Sequence, residues 1–397
     1  MKSVAKCKVV AVTGNDAVAE AMRQVDPDVV AAYPITPQTE LMHRFAEFVA
    51  DGIVKTEFVL VESEHSAMSA AVGASAAGAR VMTATSANGL ALMWEILYIA
   101  ASTRCPIVMA VVNRALSAPI NIHCDHSDSM GARDAGWIHL HCENSQEAYD
   151  NTLQAVRIAE NRDVLLPVMV CLDGFILSHT LEAVEILDDD VAREFVGEFR
   201  PVHNLLDVEN PITFGPLDFH DYYFEHKIPE IVAMENAKRV IDEVAQEYAR
   251  LTGRHYQKVE KYRTDDAERI VIALGSTCGT AKAVVDELRD KGESVGLLKI
   301  RVFRPFPYEE IRQALKNAKS VAVLDRSMSF GAQGGPVFLE VKAALYNHLD
   351  VPLKNYIYGL GGRNVSPSQI KVAFEELKHL AKEGTTSDQI GFLGVRE

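Results

Sequence analysis

Cysteine is scarce in this sequence and widely spaced. The six, Cys7, Cys105, Cys124, Cys142, Cys171 and Cys278, include no Cys-x-x-Cys pair. That pattern gives neither a disulfide framework nor an iron-sulfur or zinc signature, so any cluster chemistry must belong to another chain. No run of about 18 apolar residues occurs. The stretch Met1-Lys2-Ser3-Val4-Ala5-Lys6-Cys7 has no long apolar core followed by a cleavage site, and a cytoplasmic, soluble protein without a membrane partner is expected. Positive charge is in the minority: 40 Lys and Arg stand against 55 Asp and Glu, for a net charge of -15. The basic residues are scattered rather than striped, which argues against a nucleic-acid partner. Gly14 is a lone glycine, with no Gly-x-Gly-x-x-Gly to make a dinucleotide fingerprint.

What remains is an ordinary globular composition, 48% apolar and 24% charged, in a chain of 397 residues. That length exceeds the usual single core and predicts two domains. The first part alternates short apolar runs with helical patterns, which predicts a mostly parallel sheet covered by helices on both faces. Cys7 to Val12 is β-rich, and Asn15 or Asp16 is a plausible cap for the helix that follows. Phe58 to Val61 reads as a buried strand that stops on Glu62 and Glu64 and turns into a helix rich in Ala, Ser and Gly. A carboxylate at the carboxyl end of a strand faces the ligand crevice of an open α/β sheet. An acid favoured by the helix dipole is the equally open alternative. Val29 to Tyr33 ends at Pro34-Ile35-Thr36-Pro37, where two prolines hold Thr36 rigidly at a strand-to-helix junction. Its hydroxyl suits a carboxylate ligand or, as readily, a helix cap. Val81 to Ala84 leads into a loop over Thr85 to Gly89, with a helix from about Leu90. Pro106 to Val112 ends at Asn113-Arg114, a charged fork at the same rim. Thr36, Glu64, Ser86 and Arg114 therefore fall at corresponding ends of one sheet.

The loop from Ser117 to Asp128 gathers His123, Asp125, His126 and Asp128, with His139 and His141 nearby, but its spacing matches no standard metal pattern. No metal site is assigned, and a structured loop over the crevice is the preferred reading. Leu181 to about Tyr223 loses periodicity, as in a segment that wraps a neighbour or covers a site. Ile231 to Arg250 is helical and Lys258 to Arg269 reads as a linker or helix tail. A second α/β unit starts at Ile270. Gly275-Ser276-Thr277 there is a tight turn able to bind an anion, and Arg301 to Pro307 and Ser329 to Gly335 read as exposed interface loops. The expected domains are residues 1–258 and 259–397.

Together, Gly14-Asn15-Asp16-Ala17, Tyr33-Pro34-Ile35-Thr36-Pro37-Gln38-Thr39, Val61-Glu62-Ser63-Glu64-His65-Ser66-Ala67, Thr83-Ala84-Thr85-Ser86, Asn113-Arg114-Ala115, Asp125-His126-Ser127-Asp128, Gly136-Trp137, Phe303-Arg304-Pro305-Phe306-Pro307 and Gly331-Ala332-Gln333-Gly334-Gly335 resemble the alpha chains of the 2-oxoacid:ferredoxin oxidoreductases, the pyruvate type above all. The resemblance runs over nearly the whole chain. It implies a doubly wound, pyrimidine-type thiamine diphosphate domain followed by a transketolase C-terminal-like α/β domain. It also implies oxidation of a 2-oxoacid with coenzyme A to acyl-CoA and CO2, electrons passing through iron-sulfur clusters to ferredoxin. By the same resemblance Glu64 contacts the aminopyrimidine ring as the catalytic carboxylate. Thr36 and Arg114 bind the substrate carboxylate, Pro34 and Arg114 lie at the cofactor, and Glu62 is only a supporting residue. Asn88 departs from the family's frequent Gln before Gly89. No Gly-Asp-Gly metal loop for a diphosphate is present. Magnesium, the other half of the cofactor site and the clusters are thus expected on beta, gamma and delta partner chains. A branched-chain 2-oxoacid homologue, a catalytically silent assembly subunit and a free-standing transketolase-like enzyme are the alternatives.

Overall fold

The computed structural model describes residues 7–384 and 390–396, so the N-terminal Met1 to Lys6 read above lies outside the described residues. In chain order the strands are β1 (Cys7–Val12), β2 (Val29–Ala32), β3 (Glu57–Leu60), β4 (Val81–Thr85), β5 (Val108–Asn113), β6 (Ile138–His141), β7 (Val168–Asp173), β8 (Glu182–Leu187), β9 (Val259–Tyr262), β10 (Arg269–Ala273), β11 (Val295–Ile300), β12 (Val302–Arg304), β13 (Ser320–Asp325), β14 (Leu353–Tyr358) and β15 (Gly391–Leu393). They form a seven-stranded sheet in the order β12-β6-β7-β5-β4-β2-β3, a six-stranded sheet in the order β15-β14-β13-β10-β11-β9, and a separate β1-β8 ribbon.

The large sheet is parallel throughout except where β12 joins antiparallel to β6. Its central strands β4, β5 and β7 are buried along their whole length, as a parallel sheet covered on both faces requires. Separate apolar clusters fill the two faces, one around Phe45, Tyr149 and Tyr248 and the other around Met68, Leu97 and Trp137. The small sheet is parallel apart from β9 and is likewise packed on both sides. The doubly wound α/β expectation holds for both sheets.

Several local expectations change. Strand β3 is the sheet edge, not a buried strand, and Leu60 is 72% exposed. The first helix, Gly14–Val25, is capped by Thr13 in a reciprocal box with Asp16, which leaves Asn15 free for another task. The helix predicted from Leu90 begins at Ala87, with Ser86 as its cap position, and breaks at Met93 before Trp94–Ser102. The helix predicted from Ile231 starts at Tyr223 and runs to Thr252, and the supposed linker contains β9, paired with β11. Arg301 to Pro307 is no exposed loop. Val302–Arg304 is an edge strand of the other sheet, and its Phe303 is fully buried. The signal was legible as bulky residues, but their partner strand lies some 160 residues away in sequence, where periodicity carries no information.

Candidate functional site

The order of the large sheet reverses between β2 and β4: β3 lies on one side of β2, and the chain then crosses to add β4 and β5 on the other. That is the switch point where open α/β sheets leave a crevice at their carboxyl ends. Thr36 follows β2, Glu64 follows β3, Ser86 follows β4 and Arg114 follows β5.

Ser63 caps the helix Glu64–Ala76, its side chain accepting from the Ser66 amide at 3.2 Å. Glu64 is thereby fixed in the first turn and is buried. Glu62 is exposed and accepts the Ser66 hydroxyl at 2.5 Å. The two acids do not share a face, because the strand has already ended at Leu60. Gly89 presses against the Glu64 carboxyl: a Cβ there would lie 2.7 Å from Glu64 Oε1 and 2.5 Å from Thr85 Oγ1. The buried hydroxyls of Thr85 and Ser86 have no hydrogen-bond partner among the described residues. A buried acid, a glycine that leaves room beside it and two orphaned hydroxyls at the end of β4 make a pocket able to take a hydrogen-bonding ligand.

At the same end of the sheet the Arg114 guanidinium donates to the Thr36 carbonyl at 2.9 Å and, through Nε, to the Asn121 carbonyl at 3.0 Å. Thr36 is exposed and Pro34 is exposed beside it, whereas Arg114 is buried. Two residues missed by the sequence reading as site supports hold this turn. Asn15 Nδ2 donates to the Pro37 carbonyl at 2.9 Å, and Gln38 Nε2 donates to the Ala84 carbonyl at 2.8 Å. Polar residues at a helix start and after a proline turn were the available signal.

Asp128 ties together the segments that follow β4 and β5. It accepts the backbone amides of Ala87 (3.0 Å), Arg114 (2.9 Å) and Ser129 (2.7 Å) and the Asn113 amide group (2.8 Å). Burial raises its pKa against those four donors. It is a structural acceptor, as is Asp125, which takes the Ser127 amide and hydroxyl and the Gly361 amide. His126 pairs with Asp173 at 2.7 Å, and Asp173 also accepts from Arg326 and from the Ser276 amide and hydroxyl. The anion expected at Gly275-Ser276-Thr277 is therefore supplied by the chain itself. Burial alone would raise the Asp173 carboxyl, but His126, Arg326 and Ser276 hold it well below the usual carboxylate range.

A family model described as "Pyruvate flavodoxin/ferredoxin oxidoreductase, thiamine diP-bdg" matches residues 20–246. The chain belongs to this family. A second model, "Pyruvate:ferredoxin oxidoreductase core domain II", matches residues 267–370. The "Pyruvate synthase subunit PorA" of Thermotoga maritima is 61% identical over 389 residues, 98% of each chain. The protein of the same name from Methanocaldococcus jannaschii is 50% identical over 96% of this chain and 97% of its own. A "Ketoisovalerate oxidoreductase subunit VorA" from Pyrococcus abyssi is 46% identical over 96% of both. Among solved structures, 2-oxoglutarate:ferredoxin oxidoreductase from Magnetococcus marinus shares the fold with a TM-score of 0.72 at 20% identity. That match takes in 93% of this chain but 65% of the other. A split-gene transketolase, described as an inactive beta4 tetramer, matches at 0.56 over 94% of this chain and all of its own. Among the described residues no helix is long and apolar enough to cross a membrane.

Proposed function

We propose that this chain is the alpha subunit of a pyruvate:ferredoxin oxidoreductase, which forms acetyl-CoA and CO2 from pyruvate and coenzyme A with reduction of ferredoxin and also runs in reverse. The observation that carries the reading is the buried Glu64 carboxylate, set against Gly89 and the orphaned Thr85 and Ser86 hydroxyls at the switch point of the sheet. When bound, thiamine diphosphate supplies an electron sink for the carbanion left by decarboxylation. Glu64 shares a proton with the aminopyrimidine ring nitrogen. Arg114 and Thr36 bind the 2-oxoacid carboxylate, with Pro34 and Arg114 bordering the cofactor. The two domains are taken as residues 1–258 and 259–397, with β12 of the second pairing with β6 of the first. Beta, gamma and delta chains bring the diphosphate half with magnesium, the iron-sulfur clusters and the route to ferredoxin, and the complex works in the cytoplasm.

The test is pyruvate- and coenzyme A-dependent dye reduction by the purified complex, with thiamine diphosphate content assayed in parallel. Glu64→Gln should lower turnover by roughly 10²- to 10⁴-fold, the range of a lost proton-transfer group, with the subunits still assembled. Unchanged turnover would sink the assignment and favour a silent assembly subunit. The VorA relative favours a second reading, a branched-chain 2-oxoacid as substrate. A higher kcat/KM for 2-oxoisovalerate than for pyruvate would establish it.

A further inference from the structure

His139 and His141 alternate along β6, so both project from one face, opposite to Ile138 and Leu140. The parallel partner β7 places Met169 beside His139 and Cys171 beside His141. One nitrogen of each imidazole and the Cys171 sulfur lie within 4.8 Å of one another. All three residues are at most 1% exposed. Among the described residues neither ring nitrogen of His139 has a hydrogen-bond partner, and Nε2 of His141 has none. Three orphaned imidazole nitrogens in one buried cluster are costly, because each has given up its bonds to water without a replacement. Something must meet them.

We propose that His139, His141 and Cys171 form a buried site for a thiophilic d10 cation, Zn2+, separate from the Glu64 crevice. Two imidazoles and a thiolate are donors that such an ion selects. Metal entry breaks the Cys171 S–H bond, forms the Zn–S bond and releases the proton to solvent. The nearby charge is compensated. Arg304, beside His139, is paired with Glu340 at 2.6 Å and Asp134 at 3.3 Å, while the Asp128 carboxyl lies by Cys171 and that of Asp173 by His141. Phe303 walls the cluster, its ring 6.4 Å from that of His139 and 6.2 Å from that of His141. His126 closes the His141 side at 5.5 Å between rings. Strand β12 pairs alongside β6 and carries Phe303 against the cluster.

The test refolds the full chain with Zn2+ or with EDTA, removes loose metal by gel filtration, and measures zinc by mass spectrometry alongside Cys171→Ser and His141→Gln. About one Zn2+ per chain should survive in the native sequence, resist chelation and be lost from both variants. Refolding with Co2+ reads the same site without any substitution. A thiolate-to-cobalt charge-transfer band with the visible bands of a tetrahedral ion is expected. A native circular dichroism spectrum with no retained metal and no cobalt band would overturn the proposal, leaving buried water as the partner. Equal zinc in the native chain and both variants would overturn it as well.

Discussion

The Arg114 guanidinium is bonded to the backbone carbonyl of Thr36 at 2.9 Å, so the residues that follow β5 and β2 form one unit although 78 positions separate them. Arg114→Lys keeps the charge but loses the fork that reaches Thr36 and Asn121 together. The KM for the 2-oxoacid should rise roughly tenfold, the worth of one charge-assisted bond, with a smaller change in kcat. Steady-state kinetics of the assembled complex read this directly, and an unchanged KM would remove Arg114 from substrate binding.

Gly89→Ala should strike the site harder than its size indicates. Its methyl would sit 2.7 Å from Glu64 Oε1 and 2.5 Å from Thr85 Oγ1, so the acid has to move. Thiamine diphosphate affinity should fall at least about tenfold while thermal unfolding changes little, since the glycine is needed for space at the site rather than for the core. Calorimetric titration of the complex checks it.

Asp128→Asn puts an amide group where an acceptor meets three backbone amides and the Asn113 side chain. A loss of about 3 kcal/mol is expected, from unmade bonds to buried donors. Denaturant unfolding of the chain should show it, and Asp128→Ala should cost no less.

The Asp173 carboxyl titrates below its ordinary value, so its contribution is present in full above about pH 4, the unfolded carboxylate range. It is lost as the pH falls from there through the lower folded value. The stability gap between the native chain and Asp173→Asn should thus be flat through neutral pH and narrow below about pH 4. A gap that instead widened on acidification would contradict the His126 and Arg326 pairing.

Alternation of apolar runs and helical patterns was enough to put Thr36, Glu64, Ser86 and Arg114 at one end of one sheet, since each lies just past its own strand. Local pattern also placed most helices to within a turn or two. Contacts between distant segments were not legible. Phe58 to Val61 looked buried because its residues are apolar, yet the strand lies at the edge of the sheet. The acids and histidines of the loop before Asp128 looked like possible ligands, and only their backbone partners reveal Asp125 and Asp128 as braces. Gly275-Ser276-Thr277 was correctly read as an anion turn, but its anion, Asp173, lies more than a hundred residues upstream.

Strand β12 belongs by sequence to the second half of the chain and by hydrogen bonding to the sheet of the first. A gene fragment ending at Lys258 would leave β6 with a bare edge, its open amides and carbonyls ready to recruit a strand from another molecule. The halves are thus laced together, and neither is a free-standing module to be transplanted or shuffled.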